Sequence, residues 1–523
     1  MLSRAILAGL LLASAVDAAA EPRAQPPKSA AFEQRVVAIL DAGGTTDAVE
    51  GRLDRIGADM ALSPDQRLAV EAVQMVVRSR SRASGLAMAD AEGFAARNPQ
   101  SPVSPLLIAE AALAAHQPER SADSLIAAAK AAGPLVQLVS PSTVSKLTDE
   151  LDALSDRRRT AELAKALLYS GWRRGSAGLR SYLALAAIRD EIAAGGVEQA
   201  RRLLPVVTSP ASLHEILIDD RLSPLRADVV RVAGPRLELA WRDFLAKTRD
   251  EWLERGDALS ATAYAEALKQ AGHYEALSGS FLTRFMRGYN CPTDQVARSV
   301  GDTLADSLAR TGRWTKAEDV MRRSGGVSPP TYAAMLLERG DFGRAAGLFS
   351  RSLRAADSPD TKAEEKALAW LRAASACASF RAGSRAVGTG FDPDLLDVSS
   401  RMFVWLCMDR TAEAKSALIS ALADEEERAH ALRWLQPFAD PPQASAFRNE
   451  MNARIRRLQQ DPAVTEAASH YGRILDWPLI AGVPDVTELP PAKTPAQWQC
   501  GDRAEPQSAA PAYESLHLPD AQP

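Results

Sequence analysis

The side chains that could act as catalysts or metal ligands are scattered along this 523-residue chain. Its histidines fall in neither HExxH nor HxxxH spacing, so no two of them lie one helical turn apart as a zinc site on a helix requires. The sequence also lacks the GxSxG, SxxK, GxxxxGK(S/T) and strand-linked GxGxxG patterns of nucleophilic serines and phosphate-binding loops. We therefore predict a non-enzymatic protein with no metal site and no cofactor. The six histidines are His116, His214, His273, His430, His470 and His517.

The four cysteines all lie in the C-terminal half of the chain and lack CxxC spacing. That spacing is typical of thioredoxin-like redox sites and zinc knuckles, so neither is expected. An even number of cysteines permits two disulfides, in three possible pairings. Cys377 and Cys407 lie in apolar helical segments, whereas Cys291 and Cys500 lie beside turns. We expect structural disulfides or buried thiols rather than reactive cysteines.

Two kinds of polar cluster could contact another macromolecule. Runs of like charge, such as Arg157–Arg159 and Arg454–Arg457, are most often solvated faces. Trp172, Arg173 and Arg174 form a better candidate, because a guanidinium stacks on aromatic rings and pairs with carboxylates through two hydrogen bonds. These three residues are therefore predicted to bind a partner.

The composition predicts the kind of element that must position these residues. Aromatic residues make up only 6% of the chain, alanine and leucine are abundant, and alternating β-branched residues are scarce, which favours helices over strands. We predict an all-α protein. The formal net charge of −4 does not indicate a basic nucleic-acid-binding surface, so no nucleic-acid partner is expected.

The N-terminal residues, MLSRAILAGLLLASAVDAAA, have the pattern of a secretory signal peptide. A basic residue precedes an apolar run, and small residues follow it, so cleavage is expected after Ala18 or Ala20. The alternative is an uncleaved anchor, but the run of 12 residues from Ala5 to Val16 is shorter than the roughly 20 that span a bilayer. We expect a soluble mature protein in an oxidising compartment, and a periplasm fits best.

Helix starts recur along the chain as Ser-Pro or Asp-Pro pairs. The serine or aspartate can accept hydrogen bonds from free N–H groups, and the proline has the backbone angle of a first helical residue. Ser63 with Gln66 also forms a capping-box pattern. The pairs begin at Ser63, Ser104, Ser140, Ser209, Ser223, Ser328, Ser358, Asp392 and Asp461.

Residues 304–353 contain the most regular pattern, two successive helical hairpins. Gly312 and Gly340 permit a left-handed turn between the helices of each hairpin. Ala317 and Ala345 follow five residues later and permit two helices to approach closely.

This arrangement resembles the turn and second helix of the tetratricopeptide repeat (TPR) family, best over residues 260–356. The glycines are 40 and then 28 residues apart rather than at a fixed interval of about 34, and Tyr332 and Ala333 stand nearest the usual early aromatic and glycine positions. The resemblance implies a TPR-like α-solenoid, an α-α hairpin superhelix with degenerate repeats. The matching residues are Gly272, Tyr274, Leu277 and Phe281; Gly312, Ala317 and Met321; and Gly340, Ala345 and Phe349.

In TPR-type solenoids, ligands usually lie on the concave surface that the first helices build. By that resemblance Glu266, Lys269, Asp302 and Asp306 would face a partner. The family's basic clamp for a C-terminal carboxylate is absent at these positions, which implies a different kind of ligand.

The sequence indicates five regions and three function hypotheses, one of which, a catalyst of unfamiliar type, would require a polar pocket in which Glu, His or Arg side chains converge. A periplasmic helical-repeat scaffold would bind a protein or peptide partner in cell-envelope or motility assembly. The alternative is an accessory protein that binds envelope polysaccharide or peptidoglycan through the exposed tryptophans Trp172, Trp314 and Trp434. The regions are a signal peptide (1–20), a flexible leader (21–30), irregular helical hairpins (31–235), the TPR-like α-solenoid (236–482) and a Pro/Ala-rich, mostly disordered tail (483–523).

Helical solenoids also occur in periplasmic lytic transglycosylases, which need a catalytic Glu-Ser pair on a following helical domain. Here the comparable pair is Glu514-Ser515, nine residues from the end of the sequence. No helical domain follows this pair in the sequence, which argues against a self-contained enzyme of that class.

Overall fold

The structure is a computed structural model that describes residues 32–42, 46–59, 61–79, 86–255, 258–287, 295–323, 329–356, 365–384 and 390–489. Over these residues the chain is all-helical and contains no β-strand, which confirms the all-α prediction. An isolated antiparallel bridge joins Asp219 to Gly472. The predicted signal peptide and leader, and residues 490–523 of the predicted tail, lie outside the described residues.

The chain divides into two compact units at Val207 and Thr208. We call residues 32–207 the N-terminal unit and residues 208–489 the C-terminal unit. The boundary expected from the sequence, between residues 235 and 236, stays a prediction.

The N-terminal unit consists of short helices that pack on their neighbours in sequence, as α5 does on α6 and α8 on α9. Its core includes the fully buried rings of Phe32 and Phe94. Two 3-10 turns, Gly133–Leu138 and Leu204–Val206, interrupt the helices. The helices are α1 (Phe32–Ala42), α2 (Thr46–Asp59), α3 (Pro64–Ser79), α4 (Met88–Arg97), α5 (Val103–Ala114), α6 (Pro118–Ala131), α7 (Pro141–Ala153), α8 (Arg157–Tyr169), α9 (Ala177–Ala193) and α10 (Val197–Leu203).

The C-terminal unit continues the same pairwise packing, with 3-10 turns at Asp220–Leu225, Pro393–Leu395 and Val486–Glu488. Its helices are α11 (Pro210–Ile218), α12 (Arg226–Ala233), α13 (Glu238–Arg255), α14 (Ala258–Gln270), α15 (Tyr274–Arg287), α16 (Gln295–Arg310), α17 (Trp314–Arg323), α18 (Pro329–Arg339), α19 (Phe342–Ala356), α20 (Glu365–Arg381), α21 (Val398–Cys407), α22 (Thr411–Ala423), α23 (Arg428–Trp434), α24 (Ala446–Gln459) and α25 (Pro462–Ser469).

The hairpins predicted around the repeated glycines are confirmed. Gly272, Gly312 and Gly340 lie between α14 and α15, α16 and α17, and α18 and α19, with φ angles of +72°, +72° and +90°. Residues with a Cβ atom rarely adopt these angles, which explains the glycines. Ala317 and Ala345 are fully buried, as close helix packing requires.

The helix starts predicted from Ser-Pro and Asp-Pro pairs are right at some positions and wrong at others. Ser63 Oγ accepts from Gln66 N at 3.2 Å while Gln66 Oε1 accepts from Ser63 N at 3.0 Å, which is the expected capping box. Ser140 Oγ likewise accepts from a backbone N–H of the first turn of α7. Ser104, by contrast, lies within α5, and Ser223 lies within a 3-10 turn. Each therefore lies inside an element that begins upstream of it.

Residues 439–489, which we call the C-terminal segment, return to the turns of the predicted repeats. The carbonyl oxygen of Pro484 lies 2.8 Å from His273 Nε2, just after α14. Gln443 N donates to the carbonyl oxygen of Arg310, the last residue of α16, at 3.3 Å. The Ser445 hydroxyl donates to a carbonyl in the last turn of α18. The chain itself therefore covers part of the turn edge of these hairpins.

A disulfide joins Cys377 of α20 to Cys407 of α21, with their Cα atoms 5.7 Å apart. This is one of the pairings that the cysteine count permitted, and it agrees with a structural role. Cys291 and Cys500 lie outside the described residues.

Candidate partner-binding sites

The four charged residues predicted to face a partner lie on two adjacent helices, and two of them, Lys269 and Asp306, pair with each other. Lys269 Nζ on α14 is 3.4 Å from Asp306 Oδ2 on α16. The Thr303 hydroxyl on α16 donates to the Glu266 carboxylate on α14. Asp306 Oδ2 also accepts from Arg310 Nε, one turn further along α16, at 3.0 Å. Much of the charge on this face therefore stabilises the packing of α14 against α16.

Asp306 remains ionised because cations surround it. Burial by itself would raise the pKa of its carboxyl, but Arg310, Lys269 and Arg448 outweigh burial and lower the pKa to about 2. Arg448 belongs to α24, so the C-terminal segment contributes to the electrostatics of this face.

This face is only partly accessible to a partner. Glu266 is 8% exposed, and the side chains of Lys269 and Asp306 are 18% and 30% exposed. Asp302 is also half-buried. Their role in binding stays a prediction.

The predicted cluster at Trp172 lies in the other, N-terminal unit. Trp172 is 2% exposed, and its indole Nε1 donates to the carbonyl oxygen of Val139 at 3.1 Å. Gln137 Nε2 holds the preceding turn by donating to the carbonyl oxygen of Gly171 at 2.7 Å. Trp172 therefore packs the loop onto the unit, whereas Arg173 is exposed.

Arg174 is half-buried, and its Nη1 lies 3.4 Å from the carbonyl oxygen of Gln137. Of the three residues in this cluster, Arg173 therefore presents the most accessible side chain.

The three tryptophans of the polysaccharide alternative are not exposed together. Trp172 and Trp434 are buried, at 2% and 3% exposure, and Trp314 is half-buried. Sugar rings stack on accessible aromatic faces. Of the three tryptophans expected to bind polysaccharide, only Trp314 is therefore accessible enough to do so.

His214 is the histidine with the most strongly altered environment. It is 1% exposed, its ring centroid lies 5.6 Å from that of Trp477 in a T-shaped arrangement, and its Nε2 has no hydrogen-bond partner within the described ranges. Burial, and then the nearby Arg433 guanidinium, lower the pKa of His214 to about 3. His214 is thus neutral at physiological pH and contributes to packing. The described residues contain no group of three or more His, Cys, Asp or Glu side chains arranged to hold a metal ion.

A half-open apolar pocket lies in the N-terminal unit, mainly between α3 and α5. We call it the α3–α5 pocket. Its cavity is about 60 Å³, Ala69 and Leu107 form part of its buried floor, and Val76 and Leu106 are partly exposed at its rim. A partner's apolar side chain could enter from the solvent side and lose its contact with water.

One side of the α3–α5 pocket is polar. Glu110 of α5 and Ser140 contribute there, and the buried Thr143 lies behind them. Thr143 Oγ1 donates to Glu110 Oε1 at 2.6 Å and lies 2.8 Å from Ser140 Oγ. This chain of hydrogen bonds holds the Glu110 carboxylate in place.

The sequence did not identify this pocket. Ala69, Val73 and Val76 have helical spacing, which is also typical of an ordinary core-facing stripe. Leu106 has the spacing of a residue that packs on α6, whereas it lies at the rim of the pocket. The pattern shows which residues are apolar on one face, but it does not show that the face is incompletely covered.

Comparison with known proteins gives no relative from which a function could be transferred: no protein-family model matches the chain, and no curated protein sequence matches it. Among the described helices, none has both the length and the apolar composition needed to cross a bilayer.

Proposed function

We propose that this protein is an exported, non-enzymatic scaffold of helical hairpins that binds a protein or peptide partner in the cell envelope. The observation that carries the proposal is the α3–α5 pocket, an apolar cavity that is open to solvent and bounded by separate helices. Pockets of this kind anchor a partner by taking one of its apolar side chains.

The free energy gained by burying one apolar side chain in the pocket is large enough to contribute to binding. Full burial of a valine or leucine side chain contributes roughly 1.5–3 kcal/mol. One anchor of this size gives weak affinity, so a stable complex needs further contacts along exposed helices. A chain of helical hairpins offers these contacts over a long surface, as the TPR-like architecture we propose would.

The signal-peptide pattern and the Cys377–Cys407 disulfide support export. Disulfides persist in oxidising compartments and are rare in the cytosol.

Site-specific photo-crosslinking in intact cells tests the proposal. A photoreactive amino acid at Leu106, on the rim of the α3–α5 pocket, is expected to form an adduct of defined mass with one partner protein. The same amino acid at Glu71, an exposed position on α3, serves as the control. Ala72→Phe, which fills the pocket from its floor, should suppress the Leu106 adduct, and a milder filling variant, Val73→Phe, should weaken it.

Circular dichroism of both filling variants checks that they remain folded. If Leu106 gives no adduct beyond that seen from Glu71, or if the adduct persists undiminished in folded filling variants, the pocket is not the partner site.

A further inference from the structure

We propose that residues 471–484, a part of the C-terminal segment, form a latch that closes the C-terminal unit. The latch fastens the end of this unit to α11, α13 and the turn after α14, so that these helices open only when it is released. In an open chain of hairpins each hairpin contacts its neighbours alone, and the first hairpins can open without the last ones. The latch removes that freedom, because it lies more than two hundred residues after the helices that it contacts. This device is separate from the α3–α5 pocket, which lies in the N-terminal unit.

The latch begins with backbone pairing to the end of α11. Ile218 is the last residue of that helix, and its carbonyl oxygen accepts from Arg473 N at 3.0 Å. Asp220 N donates in return to the carbonyl oxygen of Tyr471 at 3.1 Å. The last carbonyl groups of a helix have no partner inside it, so the latch supplies a hydrogen bond that α11 cannot make for itself.

An aromatic side chain of the latch strengthens this first attachment. Trp477 is 8% exposed, and its ring lies against that of His214 on α11, with the ring centroids 5.6 Å apart. His214 is itself 1% exposed. Because the two rings shield each other from water, separating the latch from α11 would expose apolar surface.

The latch is attached a second time, at α13 and after α14. Trp241 of α13 is fully buried, and its Nε1 donates to the carbonyl oxygen of Leu479 at 2.9 Å. The carbonyl oxygen of Pro484 lies 2.8 Å from His273 Nε2, just after α14. Both side chains reach the backbone of the latch, so they fix its path.

Two glycines show that this path is closely fitted. A Cβ atom at Gly472 would overlap the carbonyl oxygen of Ile218. A Cβ atom at Gly482 would overlap the carbonyl oxygen of Arg236, in the turn before α13. Backbone atoms in a packed unit cannot move aside as the end of a flexible side chain can. An alanine at either position should therefore push the latch away from the unit.

Alanine at the two glycines tests whether the latch acts as one piece. Hydrogen–deuterium exchange of the full chain is followed by mass spectrometry in peptides from α11 and α13. Gly482→Ala should speed exchange in α11, at the other attachment, by about ten-fold, the effect of one overpacked contact, and Gly472→Ala should do the same in α13. Gly347→Ala makes the same substitution in α19, where a Cβ atom meets nothing within 4 Å, and should leave exchange in both helices unchanged.

The double variant Gly472→Ala/Gly482→Ala separates one latch from two local contacts. Once the first substitution has released the latch, the second has little left to disrupt, so the double variant should exchange within about two-fold of the faster single variant. Two independent contacts would instead give effects that multiply, to about a hundred-fold in total. Multiplied effects, or faster exchange confined to the helix beside each substitution, would overturn the proposal.

Trp241→Phe is a milder variant that tests the latch even where an alanine variant fails to give the helical circular dichroism spectrum of the parent. It keeps a buried aromatic ring but removes the N–H that donates to Leu479. Exchange in α11 should rise about five-fold above that in Trp370→Phe, the same change at a buried ring of α20, because one hydrogen bond is lost. Equal exchange of α11 in these two variants would contradict the latch.

Discussion

Trp172 and Arg173 are adjacent in sequence but have opposite environments. The indole of Trp172 is buried and donates to the carbonyl oxygen of Val139, whereas the Arg173 side chain is exposed. The types of the residues suggested one interface, but successive side chains of a loop point in different directions. Gly175 supports the packing role, because a Cβ atom there would lie 2.8 Å from the Trp172 ring.

Replacing Trp172 should therefore affect stability first. We expect Trp172→Ala to lower the free energy of unfolding by about 3–5 kcal/mol, because it leaves a cavity and an unpaired carbonyl oxygen. Arg173→Ala should change it by less than about 0.5 kcal/mol. Urea denaturation of both variants measures the difference. A Trp172→Ala variant as stable as the parent would show that the ring does not hold the loop.

His214 should make stability depend on pH. In the folded chain its pKa is about 3, lowered by burial and then by Arg433, compared with an unperturbed pKa of 6.5. Between these values the unfolded chain binds a proton that the folded chain does not, so stability falls as pH decreases from about 6.5 toward 3. From pH 7.5 to pH 5 this linkage corresponds to a loss of about 2 kcal/mol.

Urea denaturation at pH 7.5 and pH 5 isolates this contribution when the parent is compared with His214→Gln, which does not titrate. The loss of stability in the variant should be smaller by about 2 kcal/mol. Equal losses in the two proteins would mean that His214 is not kept neutral by folding.

At the scale of elements, local rules predicted the helices and many of their ends. Gly272, Gly312 and Gly340 end their helices because the turn needs a positive φ, a property of the single residue. The C-terminal segment could not be predicted in the same way. Trp241 Nε1 donates to the carbonyl oxygen of Leu479 at 2.9 Å across more than two hundred residues, and backbone acceptors have no sequence signature.

The candidate site was harder to predict than the helices, because it too depends on contacts between residues that are distant in sequence. Periodicity indicated the apolar face of α3, but a pocket depends on what the neighbouring helices leave uncovered. Glu110 shows this limit: its carboxylate accepts a hydrogen bond from Thr143, 33 residues away, and no local sequence pattern indicates that contact.

The disulfide that joins α20 to α21 should stabilise the folded chain. The Cys377–Cys407 disulfide closes a loop of 30 residues, and the chain-entropy model assigns such a loop about 3–4 kcal/mol of stabilisation. The double variant Cys377→Ala/Cys407→Ala should lower the free energy of unfolding by that amount. Thermal unfolding of the two proteins under oxidising conditions measures the loss. With a reductant present the difference should largely disappear, and a difference that stays the same would point to packing rather than the bond.

At the scale of the whole molecule, composition correctly predicted that the chain is all-α. A low aromatic content with abundant alanine and leucine indicated helices throughout, and the described residues contain no strand. The division at Val207 and Thr208 had no equally clear signal, because both units are built from short helices of similar composition. The superhelical path expected from the TPR resemblance remains part of the proposal.

Export is the property of the whole chain that can be tested most directly. If the N-terminal residues act as a signal peptide, the protein isolated from its native cell should begin after Ala18 or Ala20 and appear in the periplasmic fraction. Intact-mass measurement gives the start site, and alkylation without reduction shows which cysteines are bonded. Arg4→Glu, which removes the positive charge before the apolar run, should slow processing and accumulate precursor in the cytosol, whereas Lys28→Glu, downstream of the cleavage site, should not. A cytosolic chain that retains Met1 would rule out the export part of the proposed function while leaving the chemistry of the α3–α5 pocket to be tested separately.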